Sequence, residues 1–171
     1  GLNPDDFGWP VDPIKGLSAY FRDASYVGVF GVGHNAVDVP VYQGTPIRAA
    51  ADGVVYSAKD NGYGYSYVIL LHANGVSTVY GHVSKIFVKE GDTLAKGYII
   101  ATSGGMPGTK GAGYMTTGPH VHFEVHLNGQ DVDPLNYLPL EILSEEEILA
   151  LPEKYLDDWE RAVLGKDVDA V

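Results

Sequence analysis

Short apolar runs separated by glycine, asparagine and proline dominate the first 139 positions of the chain. The clearest is a run in which Val121, Phe123, Val125 and Leu127 alternate with His120, His122, Glu124 and His126. A period of two is the mark of a strand that turns one face to the core and the other to something polar. Val54 to Ala58, Ser66 to His72, Val76 to His82 and Tyr98 to Thr102 also read as strands, on their β-branched and aromatic content. Asn74-Gly75 lies between the second and third of these, which predicts an antiparallel hairpin. Gly91 and Gly97 read as turns around a further short strand, with the chain re-entering a sheet at Tyr98. A glycine-rich loop from Ser103 to Pro119 then delivers the histidine-bearing strand, and loops of that length inside compact domains are usually functional or mobile.

The pattern changes after Pro139. Ser144 to Glu147 reads "SEEE", a capping-box sequence, and Pro152 suits a first helical position. Leu156, Trp159 and Val163 recur at helical spacing, with Gly165 as the stop. The expected organisation is therefore a β-domain over residues 1–139 and a helical tail, or the start of a linker, over 140–171. There is no internal repeat and no low-complexity tract.

Composition narrows the function classes. A chain of 171 residues that is 45% hydrophobic is long enough to bury a core. The formal charge of −11, without a basic stripe, argues against a nucleic-acid partner or an anionic membrane surface. Cysteine is absent, so disulfides, thiolate metal sites and thiol nucleophiles are excluded, and any metal must be held by imidazole, carboxylate and water. No run approaches the roughly 18 consecutive apolar residues of a membrane-spanning helix. Neither a signal peptide nor an anchor is read in these residues, which leaves export open.

Three segments carry residues suited to chemistry. The first is the histidine face of His120 to Leu127. The second, "GVGHNAVDVPV", contains His34 and Asp38, and its valines and Pro40 disfavour a helix. On a fully extended strand their Cα atoms would lie roughly 13 Å apart, too far for two bonds near 2 Å to one ion. If both bind, the chain bends between them, with His34 ending a glycine-containing loop and Asp38 already in a strand. The third is His82, which ends a strand beside Gly81. Taken singly, each has a bland alternative: a hydrogen-bonded strand histidine, a chance spacing, a rim residue.

Together with "PVYQGTPIRAAADGVV" and "VKEGDTLAKGYIIATSGG", the segments "HNAVD", "YGHVS" and "TTGPHVHFEVHLNGQDVDPLNYL" resemble, in order from about Trp9 to Leu138, the lysostaphin and LytM type of zinc endopeptidases that cut peptidoglycan cross-bridges. The resemblance implies a mainly β fold, an antiparallel, barrel-sandwich-like peptidase core followed by the short helical tail. It implies one Zn²⁺ per chain with His34, Asp38 and His122 as ligands, and His82 and His120 as the two histidines that stay outside the coordination shell. Ala36 replaces the family's usual glycine, which is tolerable if its φ is negative. The glycine loop is longer than usual, a difference bearing on substrate selection. A tyrosine of the family assists the transition state from a loop before the first motif, and Tyr26 is the positional candidate.

Two imidazoles and one carboxylate leave a position open for water, whose pKa on zinc falls to roughly 7. The resemblance implies that such a water would attack the scissile amide, with one of His82 and His120 as general acid and base and the other steadying the oxyanion. Glu124 suits a second-layer acceptor for a ligand imidazole. His72 and His126 read as turn or rim residues, and Tyr63, Tyr65, Tyr67 and Tyr114 as a candidate groove wall. The implied partner is a peptidoglycan peptide cross-bridge, met by a monomer in the cell envelope, periplasmic or extracellular. Two alternatives are a non-catalytic binding or activator module of the same architecture and, from "VKEGDTLAKGYII", a biotinyl- or lipoyl-like barrel-sandwich module.

Overall fold

The computed structural model describes residues 6–22 and 34–151. In chain order their strands are β1 Val37–Pro40, β2 Pro46–Arg48, β3 Gly53–Lys59, β4 Tyr67–Leu71, β5 Val76–Gly81, β6 Val83–Ile86, β7 Thr93–Leu94, β8 Ile99–Ser103, β9 His120–Leu127 and β10 Gln130–Val132. All pair antiparallel. The larger sheet has seven strands in the order β1-β9-β5-β4-β3-β7, with β10 also paired to β9, and the smaller has the order β2-β8-β6. This is the mainly antiparallel β architecture expected from the sequence.

The five longest strands fall within one residue of the runs read from their pattern. Asn74 (φ 62°) and Gly75 (φ 78°) close β4 onto β5 and set Leu71 opposite Ser77. Gly91 (φ 91°) and Gly97 (φ 89°) turn the chain on either side of β7. β1 holds Asp38 in a strand, as its binding together with His34 would require, whereas β2, β6 and β10 leave no mark in the sequence, because segments of three or four residues are too short to display a period.

In β9, Val121, Phe123 and Val125 are each 0% exposed, so one face of the strand is core and the histidine face is left for the site. The Phe123 ring centroid lies 5.4 Å from that of Tyr80, itself fully buried on β5. The Tyr80 hydroxyl accepts a hydrogen bond from Ala50 N at 2.9 Å and pairs with Thr78 Oγ1 at 2.8 Å, so its polar end is satisfied within the core.

Residues 1–139 and 140–171 separate into two compact units. In the second, Ser144 caps the short helix α1, Glu145–Leu149, through the predicted box: Ser144 Oγ accepts from Glu147 N and Glu147 Oε1 accepts from Ser144 N. The expected continuation through Leu156, Trp159 and Val163 lies outside the described residues. No helix among the described residues is long and apolar enough to cross a membrane.

The glycine loop approaches β6 closely. Gly111 has φ 81°, and a Cβ there would collide with the Val83 carbonyl, whereas Gly108, with φ 80°, faces open space. Gly111→Ala should therefore cost more than about 2 kcal/mol, from collision plus left-handed strain, and Gly108→Ala only about 1 kcal/mol from strain alone. Urea midpoints of the two variants check the difference.

Candidate functional site

The register of the β1–β9 pair sets Asp38 opposite His122 and Pro40 opposite His120. Directly opposed residues share a face, so the Asp38 and His122 side chains meet. Asp38 is fixed from its other edge as well, donating its N–H to Ala19 O and accepting from Ser18 N, both at 3.0 Å. His34 stands just before β1, where Arg22 N donates to its carbonyl at 2.6 Å. The chain bends between the two, as chelation by both would require, and brings His34 Nε2 to 3.2 Å from Asp38 Oδ1. Ala36 is not among the described residues of positive φ, and its methyl is fully buried.

Hydrogen bonds fix which nitrogen of each ring is available. The Tyr20 carbonyl, 3.0 Å from His34 Nδ1, only accepts, so Nδ1 carries a hydrogen and Nε2 is the nitrogen facing Asp38. His122 Nε2 lies 3.1 Å from Glu124 Oε2 and donates to it, leaving Nδ1 facing Asp38 Oδ1, also at 3.1 Å. Donor atoms of His34, Asp38 and His122 all lie within 4.8 Å of one another, in nearly dry surroundings. Lone pairs converging on a carboxylate in this way require a positive charge among them. Two imidazoles and a carboxylate are a donor set that fits zinc.

Without a metal, a proton meets that requirement. Burial disfavours a charged His122 ring, but the bonds to Asp38 and Glu124 overcome it and push the pKa up to about 9. Burial likewise works against the Asp38 anion, yet contact with His122 and His34 and the field of His120 hold its carboxyl well below the usual range. Glu124 is also shifted down: burial opposes its charge and is outweighed by His122 and His126.

His82 and His120 lie beside this cluster, their ring centroids 4.5 Å apart. Each Nδ1 donates to a backbone carbonyl at 2.7 Å, that of Ala112 for His82 and that of Gly118 for His120. Both rings therefore keep Nε2 as an acceptor while neutral, and His120 Nε2 lies 3.7 Å from Asp38 Oδ1. Burial, reinforced by the neighbouring His120, pushes His82 down to about 4. His82 also has φ 61°, a conformation uncommon for a side-chain-bearing residue and typical of places where function holds strain.

Of the four candidate wall tyrosines, Tyr65 reaches the site. Its ring meets His82 edge-on at 4.9 Å and His122 at 6.2 Å, and Tyr67 stacks on it at 5.6 Å. Gly81 makes this possible: it is paired with His122 across β5 and β9, and a Cβ there would occupy the space of the Tyr65 phenol. Tyr63 and Tyr114 are 69% and 100% exposed. Tyr26 lies outside the described residues.

His72 has a structural place in the β4–β5 turn, bonded to Asp52 O and Thr78 Oγ1, each at 2.7 Å. A cavity of about 370 Å³ beside it, lined in part by Phe7, Asp52 and Lys96, lies at the end of β5 away from the histidine cluster. Two residues matter more to the site than the sequence reading allows: Asn35, which it does not single out, and His126, which it reads as a turn or rim residue. Asn35 Nδ2 donates to Glu124 Oε1 at 3.1 Å, and His126 Nε2 bonds the same oxygen at 2.8 Å. Their signals were adjacency to His34 and the shared face with Glu124, each too common to single out a residue.

Residues 32–134 match the model of peptidase family M23. Among curated proteins, the Peptidoglycan DD-endopeptidase ShyA of Vibrio cholerae is 36% identical over 129 residues, covering 74% of this chain and 28% of the relative. Among solved structures, lysostaphin from Staphylococcus simulans, described as an antimicrobial peptidase, superposes with a TM-score of 0.58 at 28% identity, covering 71% of this chain and 48% of that one. A zinc containing peptidase from Vibrio cholerae gives a TM-score of 0.59 at 31% identity, covering 75% and 39%. The chain spans 20–28% of the length of the curated relatives it matches first.

The shifts set two expectations for metal-free protein. His82 is held below its ordinary value, so the unfolded chain binds more protons between pH 6.5 and about 4. Stability should fall as pH is lowered through that window, and His82→Gln should lose less of it, read from urea midpoints at pH 7 and 5. His122, raised to about 9, is protonated at pH 7 and must give up that proton to a metal. Zinc uptake at pH 7 should release about one proton, seen calorimetrically as an enthalpy that changes with the ionisation heat of the buffer.

Proposed function

The chain belongs to peptidase family M23, and from that premise we propose that it is a zinc-dependent endopeptidase that hydrolyses peptide cross-bridges of bacterial peptidoglycan. The observation carrying this reading is the convergence of His34 Nε2, His122 Nδ1 and Asp38 Oδ1 with their lone pairs facing inward. Zinc held by these three residues supplies a Lewis acid and a water that is nucleophilic at neutral pH.

His82 and His120 supply the proton chemistry. Each ring, when neutral, presents Nε2 as the acceptor, because its Nδ1 hydrogen is committed to a carbonyl. A ring that takes the proton of the attacking water becomes an Nε2–H donor. It then steadies the oxyanion or delivers the proton to the leaving amine. His82 is neutral at pH 7, the state this role needs at the outset. Tyr65 packs against His82 and His122 and limits their rotation.

The description of ShyA as a DD-endopeptidase favours a cross-bridge bond between D-configured residues as the one cut. Such a substrate would be met in the cell envelope, periplasmic or extracellular, by a monomer. The complete donor set supports catalysis over a non-catalytic binding or activator module, and it would have no use in a biotinyl- or lipoyl-like carrier.

Purified protein loaded with one equivalent of zinc should convert cross-linked muropeptide dimers to monomers, stop on addition of a chelator and recover with zinc. His122→Ala should lose both zinc and turnover. His120→Ala should keep zinc and lose about 10²–10⁴-fold in kcat, as for a missing general acid–base group. Loss of zinc from His120→Ala would overturn the division of roles.

A further inference from the structure

Glu124 receives hydrogen bonds from three side chains. Its Oε2 accepts from His122 Nε2 at 3.1 Å, and its Oε1 accepts from Asn35 Nδ2 at 3.1 Å and from His126 Nε2 at 2.8 Å. The carboxylate is largely buried, with 13% of its side chain exposed, against 24% for His126. One oxygen is thus pinned by two donors, and the other is aimed at the far nitrogen of His122.

The three partners come from two segments. His122 and His126 are carried by β9, and His126 is itself set opposite Asp131 of β10. Asn35 directly follows His34, on a stretch that main-chain pairing with β9 does not reach, since the β1–β9 ladder ends at Val37 opposite Phe123. The Asn35–Glu124 bond therefore continues by side chain the tie that the main chain stops making three residues short of His34.

We propose that Asn35 and His126, acting through Glu124, are positioning residues that clamp the His34 segment to β9 and fix the tautomer and orientation of His122. The inference rests on the zinc reading above. A ligand imidazole whose second N–H is held by a carboxylate is fixed in orientation and more basic, and such outer partners are worth roughly 10–100-fold in metal affinity. A carboxylate at the end of a flexible glutamate does this well only if it is itself held. Asn35 and His126 do the holding without touching any of the three inward-facing donor atoms.

The test is the zinc dissociation constant of the full chain, by competition with a chromophoric chelator, beside the melting temperature of the metal-free protein. Glu124→Gln should weaken zinc about 10–100-fold. Asn35→Ala and His126→Ala, both at partly exposed positions, should each weaken it about 3–10-fold, less than the full worth of a hydrogen bond to a charged group because the loss reaches zinc only through Glu124. His126→Gln, which keeps a donor, should recover most of that loss. In a Glu124→Ala background neither Asn35→Ala nor His126→Ala should weaken zinc further, because their effect passes through the missing carboxylate. Unchanged affinity in both single variants, or losses that persist without Glu124, would overturn the clamp. Failure of the wild-type chain to bind zinc would overturn the metal reading itself, which separates the two.

Discussion

One carboxylate oxygen sets the terms for this fold. Asp38 Oδ1 lies 3.2 Å from His34 Nε2, 3.1 Å from His122 Nδ1 and 3.7 Å from His120 Nε2. Bringing three imidazoles to a nearly buried anion is costly unless a cation completes the group, since each member is stripped of water that no neutral neighbour replaces. The surrounding structure keeps these groups together. Asp38 is tied on both edges, to Ala19 and across the ladder from His122, and the His34 ring is anchored to Tyr20 O. A glycine opposite His122 leaves room for the Tyr65 ring that covers it.

The strand that carries the histidines shows how much depends on register. With a period of two, a slip of one residue against β1 would turn His120, His122 and Glu124 inward and force Val121, Phe123 and Val125 into the site. The core and the site are thus specified by the same alternation, and the buried side chains enforce the geometry of the polar ones. The antiparallel partners on either edge of β9 hold that register along its length.

This coupling also explains what was legible in the sequence. The alternation in β9, the Asn74-Gly75 hairpin and the capping box of α1 are local signals, and each corresponds to an element with bounds close to those expected. The convergence of His34, Asp38 and His122 came from motif order, because no local rule says that a chain bends between residues 34 and 38. The bend depends on partners remote in sequence, Tyr20, Arg22 and Ala19, which no periodicity reveals. Asn35 is not singled out by the sequence, and His126 reads as a rim residue, for a related reason. Their importance comes from a shared partner, Glu124, which lies 89 residues from Asn35. Tyr65 was one aromatic among four until the empty position at Gly81 distinguished it.

The histidines are sorted into roles by what each ring does with the nitrogen facing away from the centre. His82, His120 and His34 give their Nδ1 hydrogen to a carbonyl, so each turns Nε2 toward the centre, whereas His122 gives its Nε2 hydrogen to Glu124 and turns Nδ1 that way. A carbonyl is neutral and fixed by the backbone; a carboxylate is charged and must be positioned by its own neighbours. The carboxylates of Asp38 and Glu124 raise His122 against its burial, whereas burial and the neighbouring His120 lower His82, though the two centroids are 5.8 Å apart. Two carboxylates on one ring, and burial without one on the other, thus separate a ring suited to holding a cation from one suited to remaining neutral until a proton is offered.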